Sequence, residues 1–238
     1  MDIHRLAREI DRDLRDLGTA ERAEHEKAYL KSELSHYGVT VPAIRKVAKQ
    51  VVSTHPSLTH DELIALVDAL WADTVHERRM VCVELLDMYR DRLTPDDGML
   101  LERLLREAHT WALVDGLAAS VVGHLVDQYP ELGRTLDRWA GDDDFWIRRS
   151  ALLALLLPLR RGDGDFERFS RYADAMLDDT EFFIRKAIGW VLRDTAKKRP
   201  ELVYQWLLPR VGRASGVTIR EAVKPLSPER RAAVLASR

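Results

Sequence analysis

A short pattern returns along this chain at intervals of 33 to 37 residues, and that recurrence constrains the fold more than any single motif. VPAIRKVAKQVV from Val41, VHERRMVCVELL from Val75, WALVDGLAASVV from Trp111, FWIRRSALLALL from Phe145 and FFIRKAIGWVLR from Phe182 align with one another. VTIREAVKPL from Val217 follows as a degenerate sixth copy. With Lys46, Arg79, Asp115, Arg149, Lys186 and Glu221 as equivalent positions, the gaps are 33, 36, 34, 37 and 35. A period of this length belongs to helical hairpins stacked on their neighbours. The local pattern agrees. Apolar residues recur at three and four, as in IALVDALW and LLERLLREA, and there is little period-two alternation. Turn signals such as LTPDDG, QYPELG, GDDD and RRGDGD separate the copies. The acids at 142–144 and 178–179 stand immediately before aligned helices, where they suit N-caps and the positive end of the helix dipole.

The expected fold is therefore all-α, a curved α-solenoid of HEAT-like helical hairpin repeats. It is read as one domain over 1–238 with about six repeats. Inner helices are expected near 41–52, 75–87, 111–126, 145–160, 182–197 and 217–225. In a stacked solenoid, equivalent positions form a lane along one face, and here the lane reads Lys, Arg, Asp, Arg, Lys, Glu. In repeats of the HEAT kind a charge at such a place often bonds the neighbouring repeat's loop. Lys46 and Arg79 are thus candidates for a structural ladder as much as for ligand contact. Asp115 has the same alternative, as a rung between Arg79 and Arg149.

Composition sets further bounds. Apolar residues make up 46% and charged residues 32%, an ordinary globular balance. The single cysteine, Cys82, excludes an intramolecular disulfide and a cysteine-cluster metal site, and fits a reducing cytoplasm. The eight histidines show no HExxH or similar spacing, so no metal and no cofactor are expected. The opening MDIHRLAREIDRDLRDLG is too charged for a signal peptide. The longest apolar run, 151–157, is too short to span a bilayer, and no membrane partner is expected. The net charge of −2 hides an asymmetry. Residues 185–238 hold 13 Lys and Arg against 4 acids, a net of +9, which leaves −11 for the rest. The basic segment is either a solvated tail or a phosphate-facing end on an acidic body.

Aromatic residues distinguish this lane from a plain salt-bridge ladder. Trp111 precedes Asp115 by four residues, which puts the two about 40° apart on one helix face. Trp190 follows Lys186 by four, and Phe145, Trp146, Phe182 and Phe183 enter the helices at matching places. A tryptophan at helical spacing is more often core than ligand contact. Large aromatics beside one carboxylate and several cations nevertheless suit a polyanion that carries a positively charged group.

At these residues the chain resembles the bacterial DNA alkylation repair family, the AlkD-type alkylpurine DNA glycosylases built from HEAT-like repeats. The resemblance runs from YLKSELSHYGVTVPAIRK at Tyr29 through TWALVDGLA and DFWIRRSALL to EFFIRKAIGWVLRDTAKKRPE. It implies a catalytic cleft of Trp111, Asp115 and Trp190, with the aspartate stabilising the sugar cation and positioning water. It also matches Arg149 to the arginine of the family motif and Tyr29 to an aromatic near the cleft; contacts to double-stranded DNA are expected from Arg149, its neighbour Arg148, Lys186, Tyr29, Arg79 and Lys46. The implied enzyme is a monofunctional glycosylase that does not flip its lesion, and a monomer is expected. The acidic total departs from many relatives, which are basic.

The chemistry needs few groups. An N3- or N7-alkylated purine is already positively charged, so it leaves without a proton from an acid. What remains is to stabilise the positive charge developing on the sugar and to orient a water, and one carboxylate serves both. A base at position 115 would repel that charge. Three rivals are a protein-binding scaffold, a DNA-binding member without catalysis, and a lyase using Lys46 or Lys186 as Schiff-base nucleophile.

Overall fold

The computed structural model describes residues 2–237. Among them no β-strand forms, and one isolated bridge joins Ser35 to Val75. The helices gather into two compact units that divide at Leu117 and Ala118.

The first unit contains α1 (Ile3–Leu17), α2 (Ala20–Leu30), α3 (Val41–Thr54), α4 (His60–Trp71), α5 (His76–Met88), α6 (Gly98–Ala108) and α7 (Trp111–Gly116). Local chemistry fixes where they start. Asp2, Thr19 and Thr40 each accept a hydrogen bond from the amide three residues on, opening α1, α2 and α3. Thr59 and Glu62 form a reciprocal capping box at α4. In α1 the buried residues Leu6, Ala7, Ile10 and Leu14 form one stripe, which faces α3, α4 and α5. Helix α5 is the centre of this unit and packs against α3, α4 and α7. It buries even its charges, and each buried charge needs a partner. The Glu77 carboxylate accepts from the backbone amides of Tyr37, Gly38 and Val39 at 3.0, 2.7 and 3.2 Å. Helix α2 is the exception, since none of its residues is buried.

The second unit contains α8 (Gly123–Gln128), α9 (Gly133–Trp139), α10 (Phe145–Leu153), α11 (Leu156–Arg161), α12 (Phe166–Ala175), α13 (Phe182–Ala196), α14 (Pro200–Leu207), α15 (Gly216–Ala222) and α16 (Pro228–Ala236). Helix α13 is its hub and packs against α10, α11, α14 and α15. The approach of α15 to α13 is close enough to demand glycine at 189. A Cβ there would lie 2.8 Å from Glu221 Cβ and 3.0 Å from the Thr218 carbonyl. The helix read over 145–160 is broken at 154–155 into α10 and α11. Pro158 explains the break, because it has no N–H to donate back to the carbonyl of Ala154.

The repeat is visible in the bonding as well as in the helices. In the first unit Trp71 Nε1 donates to Glu107 and Arg103 to Asp68, across 36 and 35 residues. In the second unit Arg160 bonds Asp194 across 34 residues, Tyr172 bonds Asp137 across 35, and Trp206 and Arg210 bond Ser170 and Asp174 across 36. One period of chain separates each donor from its acceptor. The fold is all-α and built from stacked helical repeats.

Candidate functional site

In the first unit α6 ends at His109, which takes the left-handed conformation (φ 50°) and turns the chain sharply into Thr110 and α7. Thr110 is extended and buried, and Trp111 begins the helix. On α7 one face is core, with Leu113 and Val114 fully buried. The other face carries Trp111, Ala112, Asp115 and Gly116, all half-buried. Gly116 sets how deeply the helix seats, because a Cβ there would come within 2.6 Å of Val83 Cγ1 on α5. A wedge this tight holds Trp111 and Asp115 at a fixed height on the half-exposed face. The ring of Tyr29 on α2, 73% exposed, meets Trp111 edge-on with centroids 6.0 Å apart and planes at 83°. Tyr29, Trp111 and Asp115 thus share one neighbourhood. Two open aromatic rings and a carboxylate one turn away are suited to a cationic group.

Two further candidate residues of the first unit are cations. Arg79, 6% exposed, donates to the carbonyl of Glu107 at 2.6 Å and lies 4.8 Å over the ring of Trp71. Burial lowers its pKa below the usual arginine value, against an opposing pull from Glu107. Its visible work is to cap the C-terminal carbonyls of α6. Lys46 is exposed on α3.

In the second unit Arg149, 3% exposed, donates to the carbonyl of Phe183, whose ring centroid lies 5.8 Å from its guanidinium. Arg79, read as either a rung to the neighbouring repeat or a phosphate contact, and Arg149, read as a phosphate contact, both donate to backbone carbonyls about one repeat further along. Arg148 donates to the carbonyls of Asp142 and Asp143 and pairs with Asp179 at 2.9 Å. Lys186, partly open, pairs with the buried Glu221 at 2.6 Å, where Lys224 (2.9 Å) and Arg193 also converge. Burial pushes the Glu221 carboxyl up, but Lys186, Lys224 and Arg193 outweigh it and bring the pKa down to about 2. Trp190 is half-buried, and its indole N–H donates to Asp194 at 3.1 Å. Asp194 is itself 2% exposed and ringed by Arg160, Lys197 and Arg193. Burial raises its pKa, and the bonds from Lys197 and Arg160 lower it further than burial raises it.

Asp194 was missed by the sequence reading, although a signal exists. WVLRD repeats the tryptophan-to-aspartate spacing of WALVD, four residues in both places. Of the six equivalent positions, Glu221 also proves to be an acceptor for three cations rather than a surface charge.

Known proteins give the following picture. The sequence pattern of the DNA alkylation repair enzyme family matches residues 10–226. A predicted DNA alkylation repair enzyme from Enterococcus faecalis has a similar structure, with a TM-score of 0.80 and 24% identity over 89% of this chain and 97% of that one. AlkD2 from Streptococcus mutans superposes with a TM-score of 0.62 and 18% identity, covering 86% and 99%. The protein smu.31 from Streptococcus mutans UA159 gives 0.60 and 18%, covering 79% and 98%. Among curated proteins no match is found.

Proposed function

Because the chain belongs to the DNA alkylation repair enzyme family, we propose that it is a DNA glycosylase acting on positively charged N3- and N7-alkylated purines in duplex DNA. The observation that carries this reading is the half-exposed face of α7, where Asp115 stands one turn from Trp111 and Tyr29 edges the tryptophan. The bond between C1′ of the sugar and the purine nitrogen breaks, and its electron pair goes to the base, which leaves neutral. The sugar gains the positive charge, and the Asp115 carboxylate attracts it while it develops. Water positioned by Asp115 then adds to C1′ and passes its proton by way of that carboxylate to solvent, leaving an abasic site. The rings of Trp111 and Tyr29 offer their negative faces to the same cation. In the second unit, Trp190 has its indole held by Asp194. No general acid is called for, since the leaving base needs no proton. Lys46, exposed on α3, and Lys186, whose side chain is partly open, are proposed phosphate contacts, and the protein acts on DNA as a monomer without a catalytic cofactor.

Purified protein is expected to release 7-methylguanine and 3-methyladenine from alkylated duplex and to leave uracil in place. Asp115→Asn keeps the shape and removes the charge. It should retain duplex binding and excise about 10²–10³ times more slowly, the usual cost of one preorganised electrostatic group. A variant as fast as wild type would defeat the mechanism, and efficient uracil release would reveal an acid that the reading lacks.

A further inference from the structure

Helix α2 brings Tyr29 to Trp111 although it buries none of its own residues. A helix held by so little apolar contact needs some other fastening. The candidates are on its inner side. Among the described residues, buried side-chain atoms able to ligate and without a hydrogen-bond partner gather in this one corner: Glu26 Oε2, both ring nitrogens of His36 and Nδ1 of His76. A buried polar atom left unmatched is unfavourable, so a concentration of them points to a missing partner. His76 is 4% exposed, and its ring stacks on His36 at 4.6 Å and 15°. Glu26 on α2, His36 on the segment before α3, and Glu77 on α5 each offer a ligand atom here, and the three atoms lie within 4.8 Å of one another.

We propose that Glu26, His36 and Glu77 bind a divalent transition-metal ion of the zinc class, and that this ion fastens α2 to the first unit. One imidazole nitrogen and two carboxylate oxygens are a donor set that zinc accepts, with water as the fourth ligand. Bonds of about 2.0–2.2 Å would draw the donors roughly 1 Å closer than they stand. Glu77 is held by three backbone amides and is the fixed jaw. Glu26 and His36, on α2 and on a connecting segment, are the parts that close. The ion also offsets two carboxylates brought together, where among the described residues Arg22 alone pairs with Glu26. Sequence spacing conceals the site, since its ligands come from three elements and lie 10 and 41 residues apart.

The test uses the full chain, stripped with a chelator and titrated with Zn2+ alone by calorimetry. One saturable site is expected. Glu26→Gln and His36→Gln should each weaken it by more than the roughly 10–100-fold that outer-shell partners cost. His25→Gln, an exposed histidine on the same helix, should bind as wild type does. Because α2 buries no residue, Glu26→Gln is expected to fold, and circular dichroism checks both variants. Hydrogen exchange of residues 20–30 should slow on adding Zn2+ to wild type and not to either variant. No saturable site, undiminished binding in both variants, or unchanged exchange on α2 overturns the proposal and assigns these atoms to bridging water.

Discussion

Arg79 and Arg149 show that a side chain's charge does not reveal what it faces. Both occupy lane positions open to either a phosphate contact or a bond to the neighbouring repeat, and both are buried against carbonyls. Arginine suits either role, because its planar fork reaches a phosphate or a carbonyl with the same donors. Only packing separates the two, and packing is not written in the spacing. Arg149→Ala should therefore destabilise the protein by about 2–3 kcal/mol, the value of a hydrogen bond to a charged group, and thermal melts measure it. Lys46→Ala should move stability by no more than about 0.5 kcal/mol while weakening duplex binding. The reverse pattern would restore Arg149 to the phosphates. Trp111 and Asp115 were legible for the opposite reason. Four residues on a helix set a shared face by geometry alone, and the core residues Leu113 and Val114 settle which face is open. The same rule applied to Trp190 would have found Asp194.

Among elements, the helical class was readable almost throughout because apolar spacing reports the helix period directly. Interruptions were less so. Pro158 breaks the helix over 145–160, and a six-residue π-helical segment, Leu117–Val122, follows Gly116 directly. Neither alters the apolar pattern enough to announce itself, although the proline was in plain view. Contacts between helices were hidden altogether. Gly189 sits inside α13, where an ordinary glycine-to-alanine change would add about 0.4–1 kcal/mol of stability. Here the added carbon meets Glu221 Cβ and the Thr218 carbonyl. Gly189→Ala is expected to cost about 1–3 kcal/mol instead, the usual penalty of overpacking. A raised melting temperature would show that α15 can retreat at no expense.

Across the whole molecule, most arginines are already occupied by the protein itself, and this shapes its response to solution. The Glu221 carboxyl sits at about 2 in the folded protein, against an ordinary value near 4.3 when unfolded. Its contribution is complete above that ordinary value and disappears as pH falls toward 2, a loss on the order of 2–3 kcal/mol. Glu221→Gln should flatten the melting temperature over that acidic range, and an unaltered profile would show the three cations to be solvated. Toward DNA, each phosphate contact adds about 0.9 to the slope of log affinity against log salt. Removing Lys46 should reduce the slope by about one such step, and indifference to salt would favour a protein partner. The period-long hydrogen bonds carry a different consequence, for the lengths this chain can take. Within the second unit, cutting out about 35 residues between equivalent points keeps the flanking helices in register with the repeat, whereas cutting out ten draws paired side chains out of line. Chain length is therefore quantised. Relatives of this protein should differ by whole repeats or by loop insertions that leave the count between paired side chains unused, and rarely by anything in between.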